Sequence, residues 1–94
     1  MGSTKPTSKR TQVVIQRHYL IDRRLSLGYS VELASRKVNV TANYYYQIEN
    51  GHKGKKLSVV MLLKIAKMLN ISKYDLIDLE EEYIELLRMH NQSD

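Results

Sequence analysis

The sequence predicts an all-α domain of five helices, the last of them extended or followed by an additional C-terminal helix. Three observations carry that prediction. Apolar residues recur at the 3.6-residue period in five segments, while the two-residue alternation of a half-buried strand is scarce. Only Pro6 and four glycines interrupt the chain. Ser30, Thr41, Ser58 and Ser72 stand just ahead of four of the periodic segments, where a side-chain oxygen can take an orphan N–H of a first helical turn. Ninety-four residues make one small domain with a modest core, which argues against an enzyme with a deep cleft.

The first helix is expected over residues 11–27, with Val13, Leu20, Ile21 and Leu27 on one side and Gly28 ending it. Ser30 then caps a helix of barely two turns, in which Val31, Ala34, Ser35 and Val38 follow at i, i+3, i+4 and i+7. Asn39, tolerant of the left-handed conformation, stops it. Thr41 caps a third helix over 42–50 that ends at Gly51, and a basic loop, "GHKGKK", follows. Ser58 caps a fourth, with Val59, Leu62, Ile65, Ala66 and Leu69 inward and Lys64 and Lys67 outward. Ser72 opens the fifth, with Asp75 at the capping-box position. Leu76, Leu79, Tyr83 and Leu86 continue it as a heptad-like stripe through "EEEYIELL". The organisation is therefore a flexible basic N-terminal arm at 1–10, a domain at 11–78 and an acidic helical extension at 79–94.

Charge divides the chain. Residues 1–57 hold eleven Lys or Arg against three acids, and residues 58–94 hold four against seven. A basic front and an acidic back suit a polyanionic partner on one face. The runs "VVI" and "VVMLL" fall far short of the roughly 20 apolar residues that span a bilayer, so no membrane segment is expected. The basic, polar start has no apolar stretch behind it and does not read as a signal peptide. Without cysteine there is neither a disulfide framework nor a thiolate metal site, and a reducing cytoplasm suits the chain.

Two short helices joined through Asn39 and Val40 make a helix-turn-helix. Ala34 and Ser35 are small enough for a close crossing, and Val38, Val40 and Ile48 fill the wedge. "RRLSLGYSVELASRKVNVTANYYYQIENG" followed by "LLKIAKMLNISKYDLI" resembles the five-helix DNA-binding domain of the phage repressor and Cro family, the XRE-like proteins, over about residues 16–78. The order of five segments is more specific than a bare helix-turn-helix pattern.

The resemblance implies that the helix over 42–50 enters the major groove of double-stranded DNA with its N-terminal residues at the base edges. Asn43 and Gln47, i and i+4 on one helix face, would read adenine through their amides, with Ala42 near a thymine methyl and Thr41 at the helix start beside them. Phosphate would be held by Ser30 and Val31, by Tyr44, and by Lys53, Lys55 and Lys56. Arg24 would pair with Glu49 and tie the first helix to the third. The chain departs from the family pattern at Val31, where a glutamine is common, and in a longer loop at 52–57. Of the three adjacent tyrosines, which at 100° per residue cannot share one environment, Tyr45 is expected in the core, Tyr44 towards DNA and Tyr46 outermost.

The implied protein is a sequence-specific transcriptional regulator of bacterial or phage type, nucleoid-associated, acting as a homodimer on a two-fold site. Leu76, Leu79, Tyr83 and Leu86 are its candidate seam, unless they pack on the chain's own core. The sequence leaves two alternatives of the same fold: a DNA-binding antitoxin with a protein partner on the acidic C-terminal helix, and a protein-binding adaptor. His18, His52 and His90 lie far apart and read as surface residues, and Glu80, Glu81, Glu82 and Glu85 read as a solvated acidic face. No phosphate-cradling glycine loop or nucleophile elbow is present, so neither catalysis nor a cofactor or metal is expected.

Overall fold

The computed structural model describes residues 13–52 and 56–91. It is all-α, with α1 at His18–Ser26, α2 at Val31–Lys37, α3 at Ala42–Glu49, α4 at Val59–Leu69 and α5 at Lys73–Asn91. The caps are those the sequence supplies. The hydroxyls of Ser30, Thr41, Ser58 and Ser72 accept from the N–H groups of Leu33, Tyr44, Met61 and Asp75 at 3.0 to 3.1 Å. Asn39 and Asn70 take left-handed conformations, φ 62° and 58°, and turn the chain after α2 and α4.

Leu20, Ala34, Val38, Tyr45, Ile48, Ile65, Ala66, Met68, Leu69 and Leu76 form one buried cluster. Ala34 and Ser35 lie buried where α2 meets α3, and the Ser35 hydroxyl donates to the Glu32 carbonyl, so the close crossing leaves no unpaired oxygen. In α4 the inward residues are Ile65, Ala66, Met68 and Leu69. Val59, expected among them, is 71% exposed: the buried residues of α4 begin only at Ile65.

Two larger expectations are corrected. The first helix begins at His18, not near residue 11. Residues 13–17 are non-helical and form a strap across the ends of α3 and α5, because their polar groups are taken by partners on those helices and not by a helical ladder. The Val13 N–H donates to Asn91 Oδ1 at 2.7 Å, the Tyr83 hydroxyl donates to the Ile15 carbonyl at 2.8 Å, and the Gln16 amide donates to Asn50 Oδ1 at 2.6 Å. The Arg17 N–H donates to the Glu49 carbonyl at 2.8 Å. Three successive β-branched residues, Val13, Val14 and Ile15, lose less side-chain freedom there than in a helix. The strap also depends on Gly51, whose φ is 81° and where a Cβ would collide with the Ile15 carbonyl oxygen.

The second correction concerns Glu80 on α5, the extended last helix, which runs without a break across positions 78 and 79. Its inward stripe is Leu76, Glu80 and Tyr83, at i, i+4 and i+7, with Leu79 half-buried and Leu86 exposed. Leu76 and Tyr83 are thus taken up by the chain's own core. Glu81, Glu82 and Glu85 are exposed, whereas Glu80 is 3% exposed and takes two hydrogen bonds from Arg17, at 3.0 Å from Nε and 2.7 Å from Nη2. Tyr19 donates to the same carboxylate. The Arg17 guanidinium, wholly buried, lies 4.3 Å from the centre of the Tyr83 ring. Burial alone would lower the Arg17 pKa. The hydrogen bond and charge of Glu80 more than offset it, so the net direction is upward and the cation persists.

Removing one partner of a buried pair strands the other charge. Glu80→Ala is expected to destabilise the fold by about 3–5 kcal/mol, read from urea unfolding at neutral pH. Burial also raises the pKa of Tyr19, Tyr45 and Tyr83, for Tyr19 with the Glu80 carboxylate adding to it. Their folded values lie above the unfolded value of about 10, so their contribution is fully present below pH 10 and is lost as pH rises beyond it. Stability is expected to fall between about pH 10 and 12, followed by urea midpoints across that range.

Candidate nucleic-acid interface

Helix α3 divides by face. Tyr45, Ile48 and Glu49 are buried, Asn43, Tyr44 and Tyr46 are exposed, and Ala42, Gln47 and Asn50 are half-buried. Asn43 and Gln47 therefore stand on the face turned away from the core, one turn apart. Thr41 is exposed, and its hydroxyl is occupied as the cap of α3 through the Tyr44 N–H. At the start of α2, Ser30 is exposed with its hydroxyl capping that helix, and Val31 is half-buried.

The back of α3 is fastened by two arginines. Arg24 binds the Glu49 carboxylate through Nε at 2.6 Å and Nη2 at 3.1 Å, and its Nη1 donates to the Tyr29 carbonyl at 2.8 Å. Only 2% of the Glu49 side chain is exposed, and the hydrogen bond to Glu49 heads the causes that raise the Arg24 pKa. Arg17 donates from Nη1 to the Ile48 carbonyl at 2.8 Å. Both arginines act on the last turn of α3, Arg24 on a side-chain carboxylate and Arg17 on one of the carbonyls that lack intrahelical donors.

The tyrosines separate as their helical angles require. Tyr45 is fully buried, while Tyr44 and Tyr46 are 39% and 54% exposed. Tyr46 is not apart from the candidate readers. It borders a shallow depression with Val31, Glu32, Ala42 and Asn43, so it faces the junction of α2 and α3. Its i+3 spacing from Asn43 was the available sign. The Tyr45 hydroxyl is the one buried side-chain polar atom among the described residues without a hydrogen bond of ordinary geometry, although it lies close enough to the Glu49 carboxylate to interact with it. Burial first, then the Glu49 carboxylate, keeps it protonated.

Lys56 is exposed and borders a groove of about 300 Å³ with Val13, Val14, Gly51, Ile84, Leu87 and Arg88, between the strap and α5. Lys53 and Lys55, like the expected arm with Lys5, Lys9 and Arg10, lie outside the described residues. His18, His52 and His90 are exposed. Among the described residues, no group of His, Asp or Glu could hold a metal ion, and no helix is long and apolar enough to cross a membrane.

Sequence reasoning missed Arg17, Tyr19 and Glu80. The helical spacing of Glu80 from Leu76 and Tyr83 was a sign that it shares their buried stripe. Nothing local marked Arg17, whose partners lie 31 and 63 residues away.

Two short helices crossing at Ala34 and Ser35 across a left-handed Asn39, with the second helix uncovered on its Asn43–Gln47 face, define a helix-turn-helix DNA-binding fold. The family model described as "Helix-turn-helix" matches residues 20–76, and the chain belongs to that family. The repressor-type resemblance of its sequence agrees with that match. Among solved structures the chain is similar to the clp gene regulator ClgR from C. glutamicum, with a TM-score of 0.60 and 19% identity over 72% of this chain and 86% of that one. At that identity the likeness is one of fold. No curated protein matches the sequence significantly.

An unpaired hydroxyl in a core contributes nothing that a ring hydrogen would not. Tyr45→Phe is expected to leave stability unchanged or raise it by up to about 1 kcal/mol, measured by thermal unfolding. A loss above about 2 kcal/mol would mean the hydroxyl has a partner.

Proposed function

We propose that this protein is a sequence-specific double-stranded DNA-binding transcriptional regulator that reads the major groove with α3. The observation that carries the reading is the geometry of α3: its last turn is held by Arg17 and Arg24, while Asn43 and Gln47 are carried on the opposite, uncovered face. Each amide can make the paired contact to adenine N6 and N7. Ala42 and Thr41 flank them, and Tyr44, Ser30, Val31, Lys53, Lys55 and Lys56 serve the phosphates, adding affinity without sequence preference. The basic front of the chain supports this assignment, since eleven of the fifteen Lys and Arg lie within residues 1–57.

Homodimerisation on a two-fold site follows from reach, because one small module contacts few base pairs and half-sites one DNA turn apart extend the readout. With Leu76 and Tyr83 engaged internally, Leu79 and Leu86 are what remains of the stripe for a partner copy. A second reading, the antitoxin or adaptor role, draws on a shallow groove along α5 where exposed Leu86 and Met89 lie among Asp78, Glu81, Glu82 and Glu85.

Anisotropy titrations of the chain against a duplex enriched from a random pool and an unrelated duplex, at two salt concentrations, test the reading. Binding is expected to weaken with salt. Replacing Asn43 and Gln47 together by alanine is expected to remove about 1–3 kcal/mol of discrimination for each amide, with weak salt-dependent binding retained. Lys56→Ala is expected to weaken both duplexes alike. No binding to either duplex, or discrimination undiminished in the double alanine variant, contradicts the assignment.

A further inference from the structure

The chain reaches outside its family-matched segment to hold its recognition helix. Ile15, Arg17, Tyr19, Glu80 and Tyr83 all lie outside residues 20–76. They nevertheless close on α3 inside it. One guanidinium spans the gap, with Nη1 on the Ile48 carbonyl at 2.8 Å and Nε and Nη2 on the two Glu80 oxygens at 3.0 and 2.7 Å. The Arg17 backbone N–H takes the next carbonyl of α3, that of Glu49, at 2.8 Å. Tyr83 covers the guanidinium face with its ring and fixes the strap with its hydroxyl on Ile15.

We propose that Arg17 is a positioning residue for DNA recognition, and that through Glu80 and Tyr83 it makes the orientation of α3 depend on α5. The inference rests on the DNA-binding reading above. Arg24 references α3 to its neighbour α1. Arg17 references it to the middle of α5, a helix that continues two turns past Tyr83 without another buried residue. A guanidinium suits this role because its planar fork presents fixed donors on two sides, which an ammonium cannot do. Because the bonds fall on the last turn of α3, a shift of α5 is delivered as a tilt of the helix whose exposed face bears Asn43 and Gln47. Paired amide-to-adenine contacts tolerate little tilt, whereas phosphate contacts through long side chains adapt. Loss of the tie therefore lowers discrimination between sequences before it lowers binding to DNA as such.

The full chain carrying Arg17→Met with Glu80→Leu tests this, since apolar residues of similar volume can replace a buried ion pair without unfolding a protein. Thermal unfolding establishes that it folds. In the titrations described above, the variant is expected to lose about tenfold of its preference for the enriched duplex, while its affinity for the unrelated duplex and the salt dependence of that binding stay as in the wild type. A folded variant that discriminates as the wild type does overturns the positioning role, as does one that weakens equally on both duplexes. A wild type that binds neither duplex overturns the DNA-binding reading itself, which separates the two failures. Should the double variant fail to fold, Arg17→Lys carries the test, because a lysine can meet Glu80 without also forking to Ile48. The same selective loss is expected, and unchanged discrimination overturns the proposal.

Discussion

The last turn of α3 is the constraint on which the rest of the structure depends. Ile48 and Glu49 close a helix whose end is sunk in the protein, and a helix end leaves carbonyls without partners. Water cannot reach them readily, so the fold must bring donors. Arg17 brings two, one from its guanidinium to Ile48 and one from its backbone to Glu49. The Gly51 N–H reaches the Ile48 carbonyl at 3.2 Å by turning the chain back at positive φ. The buried Glu49 carboxylate takes the Arg24 fork. Three features meet at this one turn: the non-helical strap at 13–17, the start of α1 beside it and, through Arg17, the buried carboxylate of α5.

Two buried ion pairs are not a large source of net stability, because desolvation of four charges offsets most of what their attraction gains. Their effect is geometric. Stability comes instead from the apolar cluster around Leu20, Ile48, Ile65, Leu69 and Leu76 and from four hydroxyl caps worth about 1 kcal/mol each. Beyond Tyr83 no residue of α5 is buried, and the Arg88–Glu85 pair there is exposed to solvent, where such pairs contribute little. Buried contacts are thus concentrated around α3 and thin out along α5 beyond Tyr83, where Ile84 and Leu87 are half-buried and Asn91 is tied to Val13.

The same division shapes the surface that the proposed reading turns to DNA. The proposed readout needs a helix with one face committed to the core and one uncommitted, and α3 has both within eight residues by placing Tyr45, Ile48 and Glu49 inward. Tyr44 and Tyr46 then flank the Asn43–Gln47 face from either side, with Tyr46 meeting the start of α2. An aromatic run that reads as one feature in the sequence serves as a core residue and two separate surface residues.

Local chemistry was enough to determine much of this protein from its sequence. The caps at Ser30, Thr41, Ser58 and Ser72, the left-handed turn at Asn39, the close crossing at Ala34 and Ser35 and the burial of Tyr45 each depend on residues within a turn or two of one another. The Arg24–Glu49 pair was accessible only because the motif around it resembles a known family. Other features were decided by the tertiary structure. An apolar Val13 in a nearly periodic segment looked helical, and Glu80 in a run of three glutamates looked solvated, because periodicity and charge report only on sequence neighbours. What moved the first into a strap and the second into the core were partners 63 to 78 residues away, Arg17 for Glu80 and Asn91 for Val13. A buried hydrogen-bonding group takes whichever partner the fold brings to it, and that choice has no local signature in the chain.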